Sequence, residues 1–187
     1  SNSKVIDGET MYPRMHGDDG WYNYLPEPFS IGAIQTYYWT MDPADRGRVI
    51  DDPWLDFLDG NNPDWPVKVL EDGLEVVRDR VEQVRADMTT PDTRLCDDMN
   101  NINPAQTDVL TQLMLGGLIA GHDGYPLHAR VRYFDPERRR PGIPEDVAAL
   151  VETLTAEEAT VSLVNLDQVR GRTVIVQGGG YGEHQVT

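Results

Sequence analysis

A single long amphipathic helix is the feature that most constrains the fold. Between Pro66 and Met88 the apolar residues recur at alternate steps of four and three, which places them along one face of an α-helix. The segment Thr89-Thr90-Pro91 ends this pattern. A helix of this kind needs other elements to cover its apolar face. The stripe consists of Leu70, Leu74, Val77, Val81, Val84 and Met88.

Other helices are predicted from capping residues that precede a proline or an apolar period. Residues 1–29 contain glycines, prolines and aromatic residues without a period, so we expect them to be irregular. The predicted helix starts are Ser30, Asp42-Pro43, Asp52-Pro53 and Asn103-Pro104, and the last of these helices is predicted to end at Gly121.

The apolar period of the sequence changes after Gly124 from a helical one to one typical of strands. Apolar and polar residues alternate from His128 to Phe134, which predicts a half-buried strand. Pro144 is followed by a predicted short helix over 145–154, and the β-rich runs 160–166 and 172–177 are predicted to form a hairpin.

The sequence therefore predicts an α+β fold. We expect an N-terminal helical part of about four helices with long loops, then a small antiparallel β part of roughly three or more strands. The acidic, mainly helical region spans 1–127, and the β-rich region with one short helix spans 128–187. Together they form one compact unit or a fragment of a larger protein. Another protein chain is the expected partner, because so few strands make a poor free-standing sheet.

Charge limits the class of partner. The formal net charge of −16 over 187 residues would repel phosphates, so nucleic acid is not expected as a partner. The longest apolar stretch, Leu113–Ala120, is too short to span a bilayer, so we expect no membrane contact and a cytoplasmic location. The charge is uneven, with 23 acids against 9 bases in 1–127 but 9 against 7 in 128–187. Within 128–187 the basic residues begin with an arginine-rich seam over 130–140. This seam is the first place where we expect a partner or ligand to bind.

The first candidate site is an acidic aromatic segment near the N-terminus. Aromatic rings stack on the apolar faces of sugars, while carboxylates accept hydrogen bonds from sugar hydroxyls. Asp18 and Asp19 are the candidate acid–base pair, and their separation in space decides whether they can act together. His16, Trp21 and Tyr22 are the candidate substrate-binding residues beside them.

The second candidate site is a possible calcium loop. Hard oxygen ligands surround Gly60 at short spacing, as calcium prefers, although no glutamate falls where the twelve-residue calcium loop requires one. Asp-Gly-Asn-Asn-Pro is also ordinary turn chemistry. The candidate ligands are Asp59, Asn61 and Asp64.

The third candidate site lies where the helical region meets the strands. Histidines beside an aspartate can bind zinc or share a proton, with His16 or His184 as a further ligand if the fold brings it near. Simple surface histidines explain the same pattern. The catalytic candidates are His122 and Asp123, and the substrate-binding candidates are Tyr125, His128, Arg130 and Arg132.

The glycine run Gly178–Gly182 is similar in composition to a phosphate-binding loop. It follows a predicted strand, but no helix and no lysine follow it, so the sequence does not predict a phosphate site.

The β-rich runs 161–166 and 172–177 resemble the β-sandwich tails that follow helical catalytic domains in some carbohydrate-active enzymes. The resemblance covers these short runs and implies no site residue. Together with the acidic aromatic segment it favours a glycan-handling module, either part of a hydrolase or lyase or the binding portion of one. The alternatives are a non-catalytic structural or assembly domain that pairs with another chain, and a metal-dependent hydrolase that uses the histidines. Calcium and zinc are the candidate metals, and a small molecule or carbohydrate is the candidate ligand.

Overall fold

The structure, a computed structural model, describes residues 4–17, 20–26, 30–94, 102–118 and 128–185. Within these ranges it contains both α-helices and antiparallel sheets, which confirms the α+β class. The chain divides into two compact units, Ser1–Asp52 and Pro53–Thr187. The predicted boundary between the regions 1–127 and 128–187 falls at the edge of a segment outside the described residues, so it stays a prediction.

The first unit begins with a three-stranded antiparallel sheet of β1 (Lys4–Ile6), β2 (Glu9–Gly17) and β3 (Gly20–Leu25). The expectation of an irregular N-terminus is therefore wrong. Asp7 and Gly8 join β1 to β2 with φ values of 52° and 85°, the geometry that a two-residue hairpin turn needs. An Asp-Gly pair flanked by alternating apolar residues is a strong local signal for a hairpin. A search for long apolar periods does not detect it.

Two helices complete the described part of the first unit. They are α1 (Ser30–Thr40) and α2 (Pro43–Arg46), as the capping residues predict. Asp42 caps α2, because its side chain accepts a hydrogen bond of 2.8 Å from the backbone N–H of Ala44.

The second unit contains three described helices, α3 (Pro53–Leu58), α4 (Trp65–Ala86) and α5 (Asp108–Leu115). Trp54 on α3 lies 5.5 Å from Trp65 on α4, ring centre to ring centre, so aromatic packing joins the two helices. The helix predicted to begin at Asn103-Pro104 begins later, at Asp108. It ends at Gly116, whose φ of 66° forms a left-handed cap, while Gly121 lies outside the described residues.

The long helix α4 confirms the strongest prediction from the sequence, but its apolar stripe is only partly covered. Leu70, Val77 and Val81 are half-buried, whereas Leu74 is 54% exposed and Met88, beyond the helix end, is 90% exposed. Part of the stripe therefore faces solvent in the single chain.

The described strands of the second unit form two small antiparallel sheets. In the first, β4 (Val131–Asp135) lies between β5 (Arg140–Pro141) and β8 (Ile175–Gly178). In the second, β6 (Val147–Leu154) pairs with β7 (Ala159–Asn165). The predicted strand over 128–134 is thus confirmed over most of its length.

Two predictions for this region are wrong. Residues 147–154 form a strand rather than a helix, because they pair with β7 along their length and these tertiary contacts outweigh the helix propensity of Ala148, Ala149 and Leu150. The runs 160–166 and 172–177 do not pair with each other. The first belongs to β7 and pairs with β6, whereas the second contributes β8 and pairs with β4.

The core of the second unit lies between these elements. Strand β6 packs against α5 and α3, and Val151 at its centre is fully buried. The hydroxyl of buried Tyr133 on β4 donates a 2.9 Å hydrogen bond to the carbonyl of Met114 on α5. The loops that adjoin β4, β6 and β7 lie outside this core and line a surface pocket.

Candidate functional site

A charged pocket lies within the second unit, where three connecting segments meet. Its volume is about 310 Å³, at the lower end of the range for small-molecule sites. The segments are the β4–β5 turn, the link from β5 to β6, and the loop from β7 to β8. The lining residues are Asp135, Glu137, Arg138, Pro144, Glu145, Asp146, Arg170 and Arg172.

Asp135 organises the first segment. It is the last residue of β4, its side chain is buried, and its Oδ1 accepts 3.1 Å hydrogen bonds from the backbone N–H groups of Glu137 and Arg138. Its Oδ2 lies 3.7 Å from a guanidinium nitrogen of Arg140. A carboxylate that accepts two backbone N–H groups in this way fixes the turn that follows it.

An ion pair links the first segment to the second. Arg138 donates to the carboxylate of Glu145 at 2.6 Å, and both side chains are more than half exposed. The hydrogen bond and charge of Glu145 raise the pKa of Arg138, so the guanidinium stays charged. Because water screens this pair, it positions the two side chains more than it stabilises the fold.

Asp167 holds the third segment in a similar turn. Its Oδ1 accepts hydrogen bonds from the backbone N–H groups of Val169 at 2.9 Å and Arg170 at 3.0 Å. These bonds, with the nearby charge of Arg172, lower the pKa of Asp167. The loop is therefore fixed by its own side chain in the same way as the β4–β5 turn.

Arg172 joins the third segment to the second. Its guanidinium pairs with Asp146 and lies 3.2 Å from Asp167. The hydrogen bond to Asp146 is the main reason that the pKa of Arg172 is raised. The pocket is thus a network of carboxylates and guanidinium groups on three fixed turns, which can bind a ligand rich in hydrogen-bonding groups.

Residues 48–111 match the model of a family described as a domain of unknown function, DUF8034. No curated protein and no solved structure matches the chain. The family match covers α3, α4 and the beginning of α5, and it contains none of the residues that line the pocket. Among the described helices, none combines the length and the apolar character that a membrane crossing requires.

The acidic aromatic segment predicted as a sugar site lies in the first unit. His16 belongs to β2, and Trp21 and Tyr22 belong to β3, where Tyr22 is paired with Met15. Asp18 and Asp19, the candidate acid–base pair, lie outside the described residues. Their role stays a prediction.

The predicted calcium loop connects α3 to α4. Asn61 donates its backbone N–H to the carbonyl of Asp56 at 2.8 Å, and Gly60 has a φ of 81°, so the segment caps the end of α3. Over the described ranges, no three histidine, cysteine or acidic side chains group closely enough to hold a metal ion. Asp59, Asn61 and Asp64 as calcium ligands remain a prediction.

The third predicted cluster is only partly described. His122, Asp123 and Tyr125 lie outside the described residues. His128 is buried, and this burial, together with the charge of Arg130, lowers its pKa so that the neutral imidazole is favoured. Arg132 is exposed and donates to the carbonyl of Gly180 at 3.0 Å, which ties β4 to the glycine run.

The pocket itself was anticipated only through its arginines. The arginine-rich seam over 130–140 includes Arg138, but no prediction included the acids around it or the second arginine pair, Arg170 and Arg172. The available signal was a repeated one. Asp135 ends strand β4 and Asp167 lies two residues beyond the end of β7, and each precedes a polar turn, which is where an aspartate fixes a loop through backbone N–H groups.

Proposed function

We propose that this chain is a glycan-handling module and that the charged pocket of the second unit binds the sugar. One observation carries the proposal. Apart from Pro144, every residue that lines the pocket carries a carboxylate or a guanidinium group, so its wall presents both hydrogen-bond acceptors and donors.

The chemistry of such a wall selects hydroxyl-rich ligands. A sugar hydroxyl donates to a carboxylate and accepts from a guanidinium, so adjacent hydroxyls can satisfy both kinds of group at once. An apolar ligand would remove water from these charges without replacing its hydrogen bonds, which is unfavourable. This argument supports a polar ligand and opposes a lipid-like one.

The turns that carry the charged residues are already ordered. Asp135 and Asp167 each accept two backbone N–H groups, so the loops need little rearrangement when a ligand binds. None of the residues lining the pocket is aromatic, so the stacking contact common in sugar sites is absent from this part of the chain. We therefore expect selective but weak binding that depends on hydrogen bonds.

The test is a titration of the protein with methyl glycosides, followed by isothermal calorimetry and by the chemical shifts of the pocket amides. We expect saturable binding of at least one glycoside and shifts confined to the three pocket segments. Glu137→Gln should weaken binding, because its exposed carboxylate is an available acceptor. Glu157→Gln, which makes the same change on the exposed turn between β6 and β7, is the matched control. Failure of every neutral, acidic and amino sugar to bind would refute the proposal.

A second candidate function is assembly with a second copy of the chain through α4, and the partly exposed apolar stripe favours it. Val67 is 62% exposed, Leu74 54% and Val84 38%, all on this helix. Residues 65–75 have three acids and one lysine, whereas 76–86 have three arginines and two acids. Two copies of α4 packed antiparallel would place the acidic half of each beside the basic half of the other.

Analytical ultracentrifugation tests this assembly. We expect a dimer that Leu74→Lys dissociates, because the substitution places a charge in the shared apolar face. Leu166→Lys, at a position that is 64% exposed beyond β7, is the control and should leave the dimer intact. A monomer at every concentration would exclude self-assembly. Dissociation by Leu166→Lys alone would place the interface at β7 instead.

A further inference from the structure

The charged side chains of the pocket differ in whether they have an ion-pair or hydrogen-bond partner. Arg138 is paired with Glu145, and Arg172 is paired with Asp146 and Asp167. Asp135 accepts two backbone N–H groups and lies near Arg140. These contacts neutralise most of the charges that line the pocket. The charged side chains without a partner therefore select the ligand.

Among the described residues that line the pocket, Arg170 is the cation without an ion-pair partner. Its backbone is fixed, since its N–H donates to Asp167 at 3.0 Å and its carbonyl accepts from the side chain of Asn165 at 2.8 Å. Its exposed guanidinium makes no hydrogen bond or ion pair within the described part of the chain. A fixed backbone with an available guanidinium at the pocket wall is suited to binding an anion.

Glu137 is the complementary acid. Its carboxylate lies close enough for its charge to act on Arg172, yet it accepts no hydrogen bond from the described residues. Among the described residues that line the pocket, Arg170 and Glu137 are therefore the guanidinium and the carboxylate without a side-chain partner. A ligand that satisfies both carries an anionic group together with hydroxyl donors.

We infer that the pocket recognises a carboxylate-bearing sugar, of the uronic acid class, whose carboxylate binds Arg170 and whose hydroxyls donate to Glu137. This inference rests on the proposed glycan function and narrows it. A guanidinium binds a carboxylate through two parallel hydrogen bonds, a geometry that a single hydroxyl cannot match. Sugars of this class combine the carboxylate and the hydroxyls on one small ring, which suits a cavity of about 310 Å³.

The net charge of −16 does not oppose this ligand at short range. At physiological ionic strength, charges further away than about 8 Å are largely screened. Two acids of the pocket wall, Glu145 and Asp146, are already paired with Arg138 and Arg172. An amino sugar would satisfy Glu137 through its ammonium group but would leave the guanidinium of Arg170 without a partner.

The experiment compares two ligands that differ only at C6, methyl β-glucuronide and methyl β-glucoside, by isothermal calorimetry on the full chain. We expect the glucuronide to bind roughly tenfold more tightly or better, as charge-assisted hydrogen bonds imply. Arg170→Gln should abolish this preference, and Arg170→Lys should retain only part of it because lysine is a point charge. Arg85→Gln on the exposed surface of α4 removes the same charge and should leave the preference unchanged.

The outcomes separate this inference from the proposed function. Equal binding of both glycosides would overturn the inference and leave the glycan function standing, whereas binding of neither, nor of any other sugar, would remove both. Tighter binding of methyl β-glucosaminide, or an undiminished preference in Arg170→Gln, would also overturn the inference. Arg170→Gln should unfold at the same temperature as the natural chain, because the replaced guanidinium makes no described contact, so lost binding would not reflect lost structure.

Discussion

Gly116 lies directly against Val151, and this contact sets the distance between α5 and the fully buried centre of β6. A Cβ atom built at Gly116 would lie 3.1 Å from Cγ1 and 3.2 Å from Cγ2 of Val151. The backbone at Gly116 has a φ of 66°, a left-handed conformation that residues with a side chain adopt at a cost. Both the conformation and the contact therefore require glycine at this helix end.

Gly116→Ala should lower the free energy of unfolding by about 2 kcal/mol or more. The left-handed conformation accounts for about 1 kcal/mol, and the crowding against a fully buried valine adds a similar or larger amount. Denaturant unfolding followed by circular dichroism measures the change. Gly116→Ala combined with Val151→Ala should recover part of the crowding loss, and a double variant that is simply additive would contradict the contact.

Gly73→Ala should have the opposite effect. Gly73 lies inside α4, and a Cβ atom built there meets nothing within 4 Å. Alanine in a helix interior is favoured over glycine by about 1 kcal/mol, so the variant should unfold at higher denaturant concentration. A destabilised variant would mean that another surface packs closely on this glycine, and repeating the measurement across protein concentrations would show whether that surface belongs to a second copy.

The sequence predicted α4 well because its apolar residues keep a helical period over about five turns. It also located α1, α2 and α3 through their capping residues. The covering of the stripe was not predictable, because exposure of Leu74 or Val84 depends on which distant elements pack beside the helix.

Strand pairing was the least predictable part. Residues 147–154 contain Ala148, Ala149 and Leu150, which favour a helix locally, and only the partner strand β7 decides the outcome. The pocket depends on the same long-range information. Arg172 meets Asp146 across 26 positions of sequence, and no local pattern specifies that pair.

Tyr133→Phe should lower the free energy of unfolding by about 1–2 kcal/mol. The variant removes the 2.9 Å hydrogen bond from the phenol to the carbonyl of Met114 and leaves that acceptor without its donor. Chemical denaturation of the variant measures this loss. Tyr181→Phe, at a ring that is 78% exposed, is the control and should have little effect.

The same tyrosine makes stability depend on alkaline pH. Burial raises the pKa of Tyr133 to about 12, above its ordinary value of 10.0. Because the folded pKa exceeds the unfolded one, the unfolded chain loses its proton first, so stability should fall as the pH rises from about 10 towards 12. Tyr133→Phe should reduce this pH dependence, and an identical alkaline profile in the variant would contradict the assignment.

The carboxylate of Glu183 occupies the glycine run Gly178–Gly182. This run is similar in composition to a phosphate-binding loop, although the sequence does not predict a phosphate site there. Oε2 of Glu183 accepts the backbone N–H of Tyr181 at 2.8 Å, and the hydrogen bond from its own N–H is the largest cause of its lowered pKa. A Cβ atom at Gly179 would overlap this carboxylate. The chain therefore supplies the anion for its own loop.

Acid should loosen this loop. The folded pKa of Glu183 lies below its ordinary value of 4.5, so the loop gains stability above that pH and loses it as the pH falls through the folded pKa. The amide chemical shifts of Tyr181 and Gly182, followed by NMR during an acid titration, should change with the lowered pKa of Glu183. Glu183→Gln should abolish this transition and leave the pocket amides unchanged, because a neutral amide retains the shape but not the charge. A transition that persists in Glu183→Gln would assign the titration to another group.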